Sequence, residues 1–120
     1  MPAETITICK SEGATMDVFA KAADGTTTLS SPSDFTLVWA IAKTAEETTY
    51  EVELDSASNG SLLDSSTAKF RISATYTDLA SLVAGQTYYY NTWVEPDSGT
   101  GRIRQQYGKC IVTEGLPPTS

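Results

Sequence analysis

Leu82-Val83-Ala84-Gly85-Gln86-Thr87-Tyr88-Tyr89-Tyr90-Asn91-Thr92-Trp93-Val94-Glu95 reads as a leucine, a glycine turn and then the longest strand of the chain, over 86–95. This is the pattern of a tyrosine corner: the leucine packs beneath, the glycine turns, and the Tyr88 hydroxyl bonds main chain upstream. Tyr88 then sets the parity of the strand. Tyr88, Tyr90, Thr92 and Val94 are expected to face inward, and Tyr89, Asn91 and Trp93 outward. Wet aromatic rings anchor interfaces, so Tyr89, Asn91 and Trp93 form a candidate docking stripe. Its rival is that the segment 55–67 or the C-terminal tail covers the stripe within the same chain.

Period-two alternation extends to both sides. Phe35, Leu37, Trp39 and Ile41 share one strand face, with Trp39 as a core anchor. Tyr50, Val52 and Leu54 oppose Glu51 and Glu53, and Phe70, Ile72 and Ala74 oppose Lys69, Arg71 and Ser73. A first strand is expected over about 4–10, around Ile6 and Ile8. A second is expected over about 14–21; an Ala-rich short helix is the alternative, but Gly13 and Asp24-Gly25 bound the stretch as turns. Residues 55–67 read as a polar loop or irregular edge. One helical turn is expected over 77–83, capped by Thr77 or Asp78 and pinned by Leu79 and Leu82. Ile103 and the run 110–113 close a single domain over 1–114, followed by a Pro-rich tail over 115–120 that cannot join a central strand. About seven strands with turns this closely spaced leave no room for helical crossovers, so the fold is expected to be an antiparallel β-sandwich. The mid-strand Trp39 and the corner at Leu82 and Tyr88 make it immunoglobulin-like, with Tyr90 in the core and no cysteine at position 90 for an antibody-type disulfide. Glu51 and Glu53 are expected to pair with Lys69 and Arg71 across the outer face.

The 120 residues (12.8 kDa) suit one domain with a real core. Eighteen Thr and thirteen Ser favour strands and turns. A net charge of −7 argues against nucleic-acid binding, and no apolar run is long enough to span a membrane. The N-terminus lacks the basic and apolar regions of a signal peptide, so a cytoplasmic origin is expected. Cys9 and Cys110 lie in the expected first and last strands, where either two reduced thiols or a disulfide is conceivable.

No histidine is present, which excludes His-based triads and zinc sites. No phosphate-cradling glycine loop occurs. The segment Asp55-Ser56-Ala57-Ser58-Asn59-Gly60 fails as a calcium loop, because Ala57 and Ser66 stand where ligands are needed. Glu46-Glu47 and Glu51 with Glu53 read as solvated carboxylates rather than an acid–base pair. No catalytic, metal or cofactor site is expected, and an enzyme is the least favoured class.

The order of features carries a resemblance. Asp24-Gly25 and a Thr/Leu/Ser stretch precede the Trp39 strand. Phe70-Arg71-Ile72-Ser73-Ala74 with Thr77-Asp78-Leu79 lead into the corner. A Pro96-Asp97-Ser98-Gly99 turn and Gly108-Lys109-Cys110-Ile111-Val112 end the series. Over roughly 5–112 this resembles the small immunoglobulin-like domains of tailed-phage and prophage structural proteins, such as the N-terminal domain of baseplate upper proteins. The resemblance implies a non-enzymatic part of the tail, baseplate or virion, which docks onto other virion proteins or onto itself. It implies the bacterial cytoplasm during assembly and the virion afterwards. The alternative is a stand-alone β-sandwich that binds carbohydrate or a protein ligand.

Overall fold

The alternating segments become eight strands: β1 Ile6–Cys9, β2 Ala14–Phe19, β3 Phe35–Ala42, β4 Val52–Asp55, β5 Gly60–Asp64, β6 Lys69–Ala74, β7 Thr87–Pro96 and β8 Ile103–Thr113. The computed structural model describes residues 4–44 and 49–114; Glu46-Glu47 and the 115–120 tail fall outside them. The strands form a five-stranded sheet in the order β1-β8-β7-β3-β4 and a three-stranded sheet in the order β2-β6-β5. This is an immunoglobulin-like sandwich, with the corner strand β7 at the centre of the larger sheet.

Several expectations are refined. The larger sheet is mixed, because β1 runs parallel to β8, with Ile6 opposite Cys110. The 55–67 segment contains the edge strand β5, paired with β6. Its Leu62-Leu63 pair and largely exposed residues hide the alternation that marks other strands. Residues 76–81 form the expected turn, with the Leu79 N–H reaching the Thr75 carbonyl at 3.2 Å as in a helical turn, and the short 3₁₀ helices lie at Lys10–Glu12 and Pro32–Asp34. The cap of the 76–81 turn is Thr75, not Thr77. Asp78 N–H donates to Thr75 Oγ1, and Thr75 N–H donates back to Asp78 Oδ2, a reciprocal box.

The core lies between the inner faces. Leu37, Trp39 and Ile41 of β3, with Tyr88, Tyr90 and Val94 of β7, meet Met16, Val18, Phe70 and Ile72 of the smaller sheet. The corner is built as its sequence implies. Leu82 is buried, Gly85 turns at φ 90, and the Val83 N–H donates to the Tyr88 hydroxyl at 2.8 Å. The positive φ is what calls for glycine there.

Two pairings differ from expectation. Arg71 stands opposite Asp17 on β2 and donates to both its carboxylate oxygens at 2.7 and 2.9 Å, with Lys69 nearby at 3.8 Å. Glu51 instead meets Lys43 at 3.5 Å. The reason is topological: β4 and β6 belong to different sheets. Strands β1 and β8 are neighbours, yet Cys9 stands opposite Thr113, and both cysteines are free thiols. Cys110 points into the core, where burial pushes its thiol up to about 12.

Candidate functional site

The outer face of the five-stranded sheet is set by the parity of β7. Tyr88, Tyr90, Thr92 and Val94 are buried against the core, so Tyr89, Asn91 and Trp93 project to the other side. Tyr90 anchors the edge of the sheet. Its hydroxyl donates to the Glu4 carbonyl at 2.7 Å and accepts from Gln106 Nε2 at 3.0 Å, and burial raises its pKa.

The expected stripe is only partly exposed. Tyr89 and Asn91 are half-buried, but Trp93 is 3% exposed and is no free contact residue. Among the described residues its cover comes from Tyr50, whose ring is tilted at 5.9 Å between centroids, and from the Arg102 guanidinium at 4.3 Å. With Val38 and Ala40 beneath, Trp93 forms a second, small core outside the sandwich. The 55–67 segment is not the cover, since its β5 belongs to the other sheet.

A β-bulge builds the remainder. The β7–β8 register passes from Asn91 opposite Tyr107 to Trp93 opposite Arg104, so β8 carries one extra residue there. In regular alternation Arg104 and Tyr107 would face opposite sides; the bulge brings both to the outer face. The Arg104 guanidinium lies 3.8 Å from the Tyr107 ring centre, and its Nε donates to Asn91 Oδ1 at 3.0 Å. The extra turn of chain is held from within. Gln105 is fully buried, accepts from Lys21 N–H at 2.7 Å and donates to Lys21 O at 2.9 Å. This amide pair ties β8 to the chain beyond β2.

These side chains enclose a groove of about 430 Å³. Ala40 and Ala42 give it a low floor, opposite Asn91 and Tyr89 in the register of β3 and β7. Tyr50 and Tyr107 stand among its walls, Arg104 and Lys109 supply its cations, and Glu4 adds a carboxylate. The groove therefore offers flat rings for contact, with donors and acceptors among them. No protein-family model matches the chain, and no curated protein matches it either.

The other residues singled out from the sequence lie elsewhere. Trp39, Leu82, Tyr88 and Tyr90 are core. The calcium-loop lookalike is a turn closed on itself: Asp55 Oδ1 accepts from Ser58 N–H, and Asn59 Oδ1 accepts from Asp55 N–H. Among the described residues no three His, Cys, Asp or Glu side chains gather to hold a metal, and no helix is long and apolar enough to cross a membrane. Alternation missed Tyr50, Arg104 and Tyr107 as site residues. The one available signal was a phase slip: Ile103 and Cys110 are both inward-type residues an odd number of positions apart, which requires a bulge between them.

Proposed function

We propose that the protein is a non-enzymatic structural module of a tailed-phage or prophage particle, which docks a neighbouring virion protein through the outer face of its five-stranded sheet. The observation that carries this reading is the groove around Tyr89 and Asn91. Its furniture of rings and donors is fixed in place by a bulge and by the outer Trp93 cluster, as a contact surface requires. The order of features along the chain, from the Asp24-Gly25 turn to the Tyr88 corner, supports the phage assignment. Under this reading the protein resides in the bacterial cytoplasm during assembly and in the virion afterwards.

The test is assembly with the products of the genes flanking its own. Tyr89→Arg changes a half-buried outer residue and leaves the core intact, so the variant is expected to keep its circular dichroism spectrum and melting curve. Light scattering of the co-expressed proteins is expected to show a complex with wild type and none with Tyr89→Arg. Normal assembly of the folded variant would place docking elsewhere. The rings and polar groups of the groove also favour a second reading, as a carbohydrate-binding module. A glycan-utilisation neighbourhood together with glycan binding abolished by Tyr89→Arg would establish that reading instead.

A further inference from the structure

We infer that the free edge of β2 is a second contact site, which takes an extended segment of a partner protein as a fourth strand of the smaller sheet. This site is separate from the outer-face groove and goes beyond the docking role proposed there. It arises from a mismatch of widths: three strands cover the inner face of a five-stranded sheet. Beside β2 the cover is incomplete, and Ile6 of β1 and Ala14 of β2, both packed against the core, stay partly exposed. A cleft of about 370 Å³ opens there. Ile6, Ala14, Met16, Trp39 and Gln106 line it from the core side, and Thr7, Thr15 and Asp17 from the two strand edges. The indole N–H of Trp39, itself 1% exposed, has no acceptor among the described residues.

Main-chain direction shows what the edge offers. The Ser73 N–H donates to the Asn59 carbonyl, so Ser73 turns its main chain toward β5 and away from β2. Thr15 stands opposite Ser73, and Asp17 opposite Arg71, in an unbroken register. These two residues therefore point their N–H and C=O away from β6, where no main-chain bond meets them among the described residues. Edge strands are ordinarily guarded by shortness, charge, proline or a bulge. Strands β1 and β4 have four residues each, and β5 changes register between Leu62 and Asp64. Strand β2 is the longest of the four edge strands, six residues without proline, lysine or bulge. Its one charge, Asp17, is already held by Arg71. An added strand pairs with such an edge through main-chain bonds and turns alternate side chains inward. Those side chains must be apolar to meet Ile6 and Met16. A second copy's β2 fails that requirement, because its Met16 and Val18 are already buried in its own core.

The proposal is tested by a nuclear magnetic resonance titration of the purified protein with the peptide Ser-Val-Thr-Val-Thr-Val-Ser. A control peptide carries Pro at its third and fourth positions, which removes a donor from each of its edges. The Val peptide is expected to give saturable shifts at the Thr15 and Asp17 amides and at the Trp39 indole N–H. Hydrogen exchange at the two amides is expected to slow at least about tenfold at saturation. The Pro control is expected to bind at least about tenfold more weakly. Thr15→Pro removes one edge donor and no bond of the β6 ladder, and is expected to weaken the Val peptide about tenfold. Thr15→Val keeps the N–H and is expected to bind as wild type does. Circular dichroism verifies both folds; should Thr15→Pro not fold, the two peptides against wild type still decide. Equal binding of the two peptides, or no saturable shift, overturns the inference. Shifts confined to Tyr89, Asn91 and Trp93 overturn it too, and place the peptide in the outer groove. Slow exchange at Thr15 and Asp17 without peptide also overturns it: the edge then belongs to a second copy if the protein sediments as a dimer, and to the chain itself if it sediments as a monomer.

Discussion

Trp39 and Trp93 sit on opposite faces of the same sheet, and their environments predict different losses. Trp39 is 1% exposed at the centre of the sandwich, so Trp39→Ala is expected to lower the unfolding free energy by about 3–5 kcal/mol. Trp93 is buried by one layer of side chains only, and Trp93→Ala is expected to cost about 2–3 kcal/mol. Tyr88→Phe removes the acceptor for the Val83 N–H and is expected to cost about 0.5–1.5 kcal/mol. By contrast, Tyr89→Ser should stay within about 0.5 kcal/mol of wild type. Urea denaturation of the four variants checks the order; Trp93→Ala behaving like Tyr89→Ser would show that the outer cluster adds no stability. The inward and outward sets of β7 were legible from Tyr88 alone, because period two fixes which face a side chain takes. What lies over that face was not, because Tyr50 arrives from a distant segment and Arg102 from the far side of the β7–β8 turn, and alternation within one strand carries no information about them.

Elements were legible where one face is buried and the other wet, as in β3, β6 and β7, and illegible where that contrast fails. Strand β5 is an edge with little burial on either face, so its residues read as loop. Strand β8 changes phase at its bulge, so its two halves read as separate pieces. That bulge depends on Gln105 and on the close approach of β1. Gln105→Ala is expected to cost about 1–3 kcal/mol, because the Lys21 N–H and C=O lose their shared partner in a buried setting. Gly108 lies against the backbone of Glu4 at φ 154, and an added Cβ would fall onto the Glu4 carbonyl. Gly108→Ala is therefore expected to loosen the start of β1 from β8 and to destabilise by about 1–3 kcal/mol. Hydrogen exchange reads the two separately: Gly108→Ala should raise exchange at Glu4, and Gln105→Ala at Lys21. Unchanged protection at both amides would show that neither contact holds the bulge.

At the scale of the whole molecule, an all-β sandwich was legible from seven alternating segments, whereas the parallel β1–β8 pair was not, since alternation carries no strand direction. Topology also fixes how stability responds to pH. On the acid side the Asp17 carboxyl is lowered by the Arg71 hydrogen bond, Asp24 is lowered to about 2 chiefly by the Thr27 hydroxyl, and Asp64 is lowered by Ser66. Carboxylates held below their unfolded values contribute stability that is present above about pH 4 and lost as pH falls toward 2. All three are solvent-accessible, so salt screens the effect and this limb is expected to be shallow. The alkaline side has a different origin. Because β8 carries Cys110 into the core, its thiol ionises near 12 in the folded chain against an ordinary value of 9.0. A folded pKa raised in this way gives stability that is complete below about pH 9 and is lost as pH rises toward 12, with a slope approaching about 1.4 kcal/mol per pH unit. Tyr90, also raised by burial, adds to the loss above its ordinary value of 10.0. Urea midpoints measured from pH 2 to 12 are thus expected to fall gently below 4 and steeply above 9. Cys110→Ala should flatten the fall between 9 and 10, where the thiol acts before Tyr90, and leave the acid limb unchanged. An alkaline limb identical in wild type and Cys110→Ala would mean that the buried thiol does not govern it.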